Sequence, residues 1–252
     1  LPLPPRAKTP SKEIQEFLTG LADRALMADL VARWGTAPAD APGHHDPASL
    51  TTIPPEAVPM WGFDWPRSGD PRPSAVLILF GALDDVPARH DAERVHPHVD
   101  VLLTQRAATL RQHAGQIAFP GGRVDPEDGD VVATALREAQ EETGLDPSGI
   151  EILGALPKAP VPVSGHDVTP VVGWWTRPSA VDVVDHAESS LVFRVPVLDL
   201  VDPDRRHTAE VTREGANRPT LRHRSPAFRV PRQITDPVGG ADEVVVWGFT
   251  GI

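Results

Sequence analysis

Three glutamates lie within five residues of one another in the segment REAQEETGL, residues 137–145. Glu138 and Glu142 are one helical turn apart and Glu141 is three residues from Glu138, so a helix would present them on one face. Arg137 can pair with Glu141 four residues later, which leaves the other two carboxylates uncompensated. The pattern is typical of a solvated acidic face or of a site for a hard cation such as Mg²⁺, which prefers carboxylate oxygens and keeps several waters.

Paired glycines precede the glutamates in the stretch AFPGG, which ends at Gly122. Because glycine has no Cβ, the backbone of Gly121 and Gly122 can come close to a ligand and offer it carbonyl or amide groups. The glycines therefore favour the cation site over the solvated face.

A helix from about Asp130 to Thr143 is predicted to carry the glutamates. Asp130 is a suitable N-cap, and Gly144 is a suitable C-terminal stop with Leu145 folding back behind it. Apolar residues at positions i, i+3, i+4 and i+7 predict a core-facing stripe on this helix. The residues of the stripe are Val132, Ala135, Leu136 and Ala139.

Short apolar runs on both sides of this helix predict a strand-rich domain around it. Strands are predicted at residues 74–80, 96–107, 150–156, 168–175, 191–197 and 243–249, with a strand or loop at 116–119. The remaining predicted features are a turn at 120–122, a short helix at 197–202, a helix at 11–34 and a Pro- and Gly-rich connector at 35–72. Strands around one strongly patterned helix favour an α/β or α+β sandwich.

The composition of the 252-residue chain excludes several classes of protein. Its net charge of -11 argues against a nucleic-acid partner, although a metal and a few arginines can still hold an anionic substrate. The lack of cysteine excludes disulfides, zinc thiolate sites and cysteine nucleophiles, and it fits a cytoplasmic location. No apolar run reaches the length of a membrane span, and the N-terminal residues lack the apolar core of a signal peptide. The missing initiator Met indicates a trimmed or processed chain.

The glutamate segment resembles the signature of the Nudix hydrolases, which reads G, five residues, E, seven residues and R-E-U-x-E-E-x-G-U, where U is a bulky aliphatic residue. Residues 137–145 match every fixed letter, with a small alanine at the first U. The first half departs, because five residues after Gly122 comes Asp128 instead of Glu, and eight residues separate it from Arg137. The neighbouring Glu127 is the alternative for this position.

A second and more specific resemblance covers residues 102–122, LLTQRAATLRQHAGQIAFPGG. This stretch is similar to the upstream signature of the coenzyme A pyrophosphatase branch of the Nudix enzymes, L-L-T-x-R-[SA], three residues, R, three residues, G, three residues and F-P-G-G. Every fixed position is met, including Arg106 and Arg111. That branch also shows altered spacing inside its Nudix box, so the departure at Asp128 supports the assignment. The resemblance extends over residues 72–252, and the branch implies a further terminal helix beyond them.

The resemblance implies a Nudix α/β/α sandwich with a mixed sheet and a loop-helix-loop motif. It divides the chain into an N-terminal helix and Pro-rich extension, residues 1–70, and a Nudix hydrolase domain, residues 71–252. The implied reaction is hydrolysis of the diphosphate of coenzyme A or its acyl derivatives to 3′,5′-ADP and (acyl-)4′-phosphopantetheine, with Mg²⁺ or Mn²⁺. The alternatives are another nucleoside diphosphate derivative, such as NADH or ADP-ribose, and a non-catalytic nucleotide sensor, against which the intact glutamates argue. The expected partner is a small-molecule nucleotide, with no nucleic acid, no membrane and a possible homodimer.

The resemblance also assigns roles to single residues. The metal ligands would be Glu138 and Glu142, with Glu141 as a shared ligand or base, the Gly122 carbonyl as an extra ligand and Glu188 as a distal ligand for which Asp185 is the alternative. Arg137 would orient Glu141, so that the catalytic residues are Glu141, Glu142 and Arg137. The substrate-binding residues would be Arg106, Arg111 and Gly121, since guanidinium groups pair bidentately with phosphate. For Arg106 a structural ion pair is an equal alternative, and for Arg123 it is the favoured interpretation.

Overall fold

The computed structural model describes residues 70–81, 99–110, 113–156, 158–161, 164–215, 218–231, 243–247 and 250. The helix predicted at 11–34 and nearly all of the connector at 35–72 lie outside these residues, as does Arg111. The division of the chain near residue 70 therefore stays a proposal. Within the described part of the chain, neither α-helix combines the length and the hydropathy that a membrane span requires.

The described residues form eleven strands, two α-helices and two 3₁₀ turns. The strands are β1 Arg72–Gly81, β2 Asp100–Arg106, β3 Ile117–Ala118, β4 Gly121–Arg123, β5 Ile150–Ala155, β6 Ala159–Val161, β7 His166–Trp175, β8 Ser189–Pro196, β9 Arg206–Gly215, β10 Arg218–Pro231 and β11 Glu243–Trp247. The helices are α1 Val131–Thr143 and α2 Val197–Val201, and the 3₁₀ turns are Pro147–Gly149 and Pro203–Arg205.

Eight of the strands form one mixed sheet with the path β3-β2-β1-β7-β5, in which β4 pairs with β1, β6 with β7 and β8 with β2. The pairing of β1 with β7 is parallel, whereas β1 pairs antiparallel with both β2 and β4. Strands β9, β10 and β11 form a second, antiparallel sheet. The predicted α/β class and the mixed sheet are confirmed.

Alternate residues of β1 divide the interior of the molecule into two cores. Leu77 and Leu79 lie in the core beneath α1, whereas Ile78 and Phe80 pack on the opposite face of the sheet, as the period of two in a strand requires. Among the described residues, the second face is covered by β10, β11 and α2. Within the described ranges, this layer consists of a sheet and a short helix.

Helix α1 begins and ends where the sequence predicts. The carboxylate of Asp130 accepts hydrogen bonds from the amides of Val132 and Ala133 at 2.9 and 2.8 Å. Gly144 has a left-handed φ of 69° and its amide donates to the Gln140 carbonyl, which closes the last turn. The predicted stripe packs into the core, with Val132, Ala135 and Ala139 fully buried and Leu136 packed against them. The helix is thus held at both ends and along one face.

The structure contains strands that the sequence does not predict, among them the three-residue β6. The turn predicted at residues 120–122 is instead the start of β4, because Gly121 and Gly122 pair with Val76 and Ala75 of β1. Strands β9 and β10 were not predicted. Their sequences, RHTAEVTREG and RPTLRHRSPAFRVP, hold few apolar residues, so they lack the apolar periodicity on which strand prediction depends.

Removal of the Asp130 cap is expected to destabilise the protein without changing its fold. Asp130→Ala leaves two amides of the first turn without an acceptor and is expected to lower the free energy of unfolding by about 1 kcal/mol. Asp130→Asn keeps the acceptor and should retain most of the stability. Urea unfolding followed by circular dichroism measures both variants, and equal stability of the alanine and asparagine variants would contradict the capping role.

Candidate active site

The paired glycines and the glutamates meet where α1 crosses β4. Gly122 pairs with Ala75 of β1 and lies so close to the carboxylate of Glu138 that an added Cβ would overlap it. Gly121 is equally confined, because its Cβ would strike the Ala75 carbonyl and Val76. Since no other residue lacks a Cβ, glycine is the residue that lets β4 lie between β1 and the glutamates.

Arg137 joins the loop before α1 to the helix. Its guanidinium donates to both carboxylate oxygens of Asp128 at 2.9 Å, a bidentate arrangement that is stronger than a single hydrogen bond. The Thr134 hydroxyl and the Asp125 amide donate to the same carboxylate, and these contacts, with that of Arg137 foremost, hold the pKa of Asp128 far below its usual range. Asp128 is therefore the carboxylate that pairs with Arg137. The side chain of the alternative residue, Glu127, is exposed.

The remaining contacts of Arg137 reach two of the three glutamates. One guanidinium nitrogen lies 3.1 Å from Glu138 Oε1 and 3.1 Å from Glu141 Oε2, and another donates to the Arg123 carbonyl at 3.0 Å. The contact with Glu141 is the one that the spacing indicates. The expectation that Glu138 is uncompensated is wrong, because the flexible arginine reaches the adjacent residue as well as the one four positions later.

Glu142 lies in surroundings that disfavour its charged form. Its pKa is raised to about 7, chiefly by burial; the amide of Gly121 and the charge of Arg106 oppose this rise, and the carboxylates of Glu138 and Glu188 add to it. The Gly121 amide lies 3.4 Å from Glu142 Oε2, so this glycine serves the glutamate directly. Burial is also the main reason why the pKa of Glu138 is raised. A largely buried carboxylate among other carboxylates is short of positive charge.

Glu188 and Arg106 reach the site from paired strands. Arg106 at the end of β2 is in register with Ser189 of β8, and the Ala107 amide donates to the Glu188 carbonyl at 2.8 Å. The alternative residue, Asp185, uses its carboxylate within its own turn, where it accepts from the Ala187 amide at 2.7 Å. Glu188, which acts on Glu142, is therefore the better placed of the two.

The glutamates form an open set and not a closed cage. In the described ranges, no three carboxylate or imidazole groups stand close enough together to enclose a metal ion by themselves. Mg²⁺ does not need such an enclosure, because it keeps several waters and completes its shell with substrate phosphates. The largely buried carboxylate of Glu142 and the Glu138 carboxylate, which packs directly against the backbone of Gly122, supply oxygen atoms that suit a divalent cation.

The raised pKa of Glu142 gives a prediction about the stability of the metal-free protein. Because its folded-state pKa is about 7 and its ordinary value 4.5, the unfolded chain releases this proton at lower pH than the folded chain. The free energy of unfolding therefore falls as the pH rises through that window. Glu142→Gln abolishes the titration and is expected to be more stable than the wild type by about 2 kcal/mol near pH 8, with little difference near pH 4.

Urea unfolding in EDTA across this pH range measures the effect. The matched control is Glu127→Gln, the same chemical change on an exposed side chain of the preceding loop, and it should keep the pH dependence of the wild type. A Glu142→Gln variant that is no more stable than the wild type at high pH would show that Glu142 is not buried as described.

Curated relatives of the chain share its central segment. A protein described as an uncharacterized Nudix hydrolase NudL, from Escherichia coli O1:K1 / APEC, is 46% identical over 119 residues, which are 47% of this chain and 61% of that protein. The protein of the same description from Shigella boydii serotype 18 gives the same values. The chain thus spans less than two thirds of the length of these relatives.

Two solved structures of Nudix proteins align with the chain at low similarity. The NUDIX domain of Shewanella oneidensis NrtR, complexed with ADP ribose, is 19% identical with a TM-score of 0.38, and the alignment covers 69% of this chain and 85% of that one. A C. elegans Ap4A hydrolase is 20% identical with a TM-score of 0.34, over 47% of this chain and 76% of that one. The model of the NUDIX domain matches residues 85–214, just over half of the chain, and the chain therefore belongs to the Nudix hydrolase family.

Proposed function

We propose that the chain hydrolyses the diphosphate of coenzyme A or its acyl derivatives, giving 3′,5′-ADP and (acyl-)4′-phosphopantetheine. One observation carries this proposal. Arg106, a fixed residue of the upstream signature of the coenzyme A branch, is close enough for its charge to lower the pKa of Glu142, and it pairs with Ser189, the residue that follows Glu188. Its buried Nε has no hydrogen-bond partner among the described residues, so it is a donor suited to a phosphate oxygen.

The metal ligands in this proposal are Glu138 and Glu142, with Glu141, the Gly122 carbonyl and Glu188 completing the set. When bound, Mg²⁺ or Mn²⁺ supplies positive charge that neutralises the diphosphate and the charge that develops during its cleavage. The raised pKa values of Glu142 and Glu138 support this assignment, because a buried carboxylate gains most from a cation beside it.

Arg137 has a positioning role in the proposed reaction. It fixes the Glu141 carboxylate from one side through the 3.1 Å contact, while Asp128 fixes Arg137 itself. Glu141, held in this way, orients or deprotonates the attacking water as a shared ligand or base. Glu142 shares the catalytic role through the same cation. The Gly121 amide donates to the Glu142 carboxylate. Its part in substrate binding is therefore indirect, whereas the sequence indicates a direct one.

Arg106 and Arg111 bind the anionic substrate in the proposal. Arg106 comes from the end of β2, and Arg111 lies five residues later in the same signature, outside the described residues. A guanidinium group is suited to this role because it offers two parallel donors to one phosphate.

A substrate panel tests the proposed function directly. Coenzyme A, acetyl-coenzyme A, NADH and ADP-ribose are each incubated with the protein and Mg²⁺ or Mn²⁺, and the products are identified by mass spectrometry. We expect coenzyme A or its acyl form to have the highest kcat/KM, and Glu142→Gln to lower kcat by about 100-fold or more. Preferential cleavage of NADH or ADP-ribose would overturn the coenzyme A assignment, and full activity of a folded Glu142→Gln variant would overturn the metal assignment.

A pair of glycine variants tests the contact between β4 and Glu138. Gly122→Ala places a methyl group where the Glu138 carboxylate lies and is expected to lower kcat/KM by about tenfold or more, because small displacements of catalytic groups are costly. The matched control is Gly129→Ala, whose added Cβ meets no described atom within 4 Å. Neither glycine has a positive φ, so backbone strain does not confound the comparison. Equal activity of the two variants would contradict the close approach.

A further inference from the structure

Arg123 and Arg72 are exposed arginines without a carboxylate partner in the described part of the chain. The structural ion pair that the sequence favoured for Arg123 is therefore not formed by any described residue. Arg123 contacts Arg137 through its backbone, because its carbonyl accepts a hydrogen bond from the Arg137 guanidinium. No described carboxylate therefore competes with a ligand for these two guanidinium groups.

Strand register places both arginines on one face of the sheet. Arg123 of β4 is opposite Ser74 of β1, and Arg72, two residues before Ser74, is opposite His166 of β7. Residues directly opposite each other, and residues two apart in one strand, share a face. Because Gly122 faces α1 and Glu138, Arg123 faces the other way. Three adjacent strands thus present Arg123, Arg72, Ser74 and His166 together.

A short hydrogen bond organises the middle of this group. Ser74 Oγ and His166 Nδ1 are 2.6 Å apart, and Ser74 is 4% exposed, so the imidazole is held against the sheet and Nε2 is its other polar atom. Burial lowers the pKa of His166, and the charges of Arg72, Arg123 and His113 lower it further. The strand register, which places Arg72 opposite His166 and Arg123 opposite Ser74, is consistent with these charge effects.

Cationic side chains that gather without a described carboxylate repel one another, and an anion relieves that repulsion. Two guanidinium groups with an imidazole suit a phosphate, whose oxygens accept several charge-assisted hydrogen bonds. The group lies on the face of β4 opposite Glu138, so it does not overlap the carboxylates that are proposed to bind the metal. It is therefore suited to a second phosphate of the same substrate.

We propose that Arg72, Arg123 and His166 bind the 3′-phosphate of the adenosine part of the substrate. This inference rests on the proposed function, since it is coenzyme A that carries such a phosphate in addition to its diphosphate. The site selects 3′-phosphorylated nucleotides over NADH and ADP-ribose, which lack the group. It adds two basic residues from β1 and β4 to the determinants of specificity, and neither of them belongs to the upstream signature that contains Arg106.

Binding of product fragments tests the site without turnover. Isothermal titration calorimetry compares 3′,5′-ADP with 5′-AMP, in EDTA, for the wild type and for the double variant Arg72→Ala, Arg123→Ala. We expect the wild type to bind 3′,5′-ADP about tenfold more tightly than 5′-AMP, and the double variant to bind both equally. The matched control is Arg177→Ala, an exposed arginine beyond the far end of β7, a strand that extends for about 30 Å from His166 to Trp175; it should behave as the wild type does.

The kinetic arm compares coenzyme A with dephospho-coenzyme A. In the double variant KM should rise about tenfold for the first substrate and stay constant for the second. Equal affinity of the wild type for 3′,5′-ADP and 5′-AMP, or unchanged discrimination in the double variant, overturns the phosphate site even if coenzyme A is cleaved. If the wild type discriminates but does not cleave coenzyme A, the proposed function fails, and the phosphate site stands for another 3′-phosphorylated nucleotide.

Discussion

The bidentate pair between Arg137 and Asp128 is the interaction on which the arrangement of the site depends. It ties the loop that follows β4 to the middle of α1, and the same guanidinium reaches Glu138, Glu141 and the Arg123 carbonyl. Asp128 stays ionised because its carboxylate receives further hydrogen bonds from Thr134 and Asp125. One cation thereby fixes the helix, the loop and two glutamates relative to one another.

Glu142, in contrast to Asp128, has too little positive charge around it to favour its ionised form. Arg106 and one backbone amide lower the pKa of Glu142, but burial and two other carboxylates outweigh them. The surroundings favour the charged form of Asp128 and disfavour that of Glu142. Asp128 is therefore a structural anion, whereas the proposed function gives Glu142 the role of a metal ligand. This difference follows from local packing, since both residues are carboxylates close in sequence to the same arginine.

The sequence predicts the helix and its ends because these depend on local signals. Asp130, Gly144 and the apolar stripe act within a few residues of themselves, and the structure has them as expected. Strands β9 and β10 were missed because their pairing depends on backbone hydrogen bonds between segments without apolar alternation. The choice of Asp128 over Glu127 also required the structure, since either carboxylate could reach Arg137 in an unspecified loop. The group around Arg123 was beyond prediction, because it is assembled from strands more than 40 residues apart along the chain.

The pairing of β4 with β1 has a consequence for the way sequence changes are tolerated here. Only three residues form β4, and two backbone bonds hold its ends, one from the Leu77 amide to the Pro120 carbonyl and one from the Val124 amide to the Pro73 carbonyl. A slip of one residue would exchange the faces of the strand and bring the arginine side chain of residue 123 against Glu138. An insertion in the loop after Arg123 leaves that register intact, whereas an insertion between Pro120 and Gly122 would not. The signature has seven residues before Arg137, whereas this chain has eight between Asp128 and Arg137. This additional residue follows β4, so it leaves the pairing of β4 with β1 unchanged.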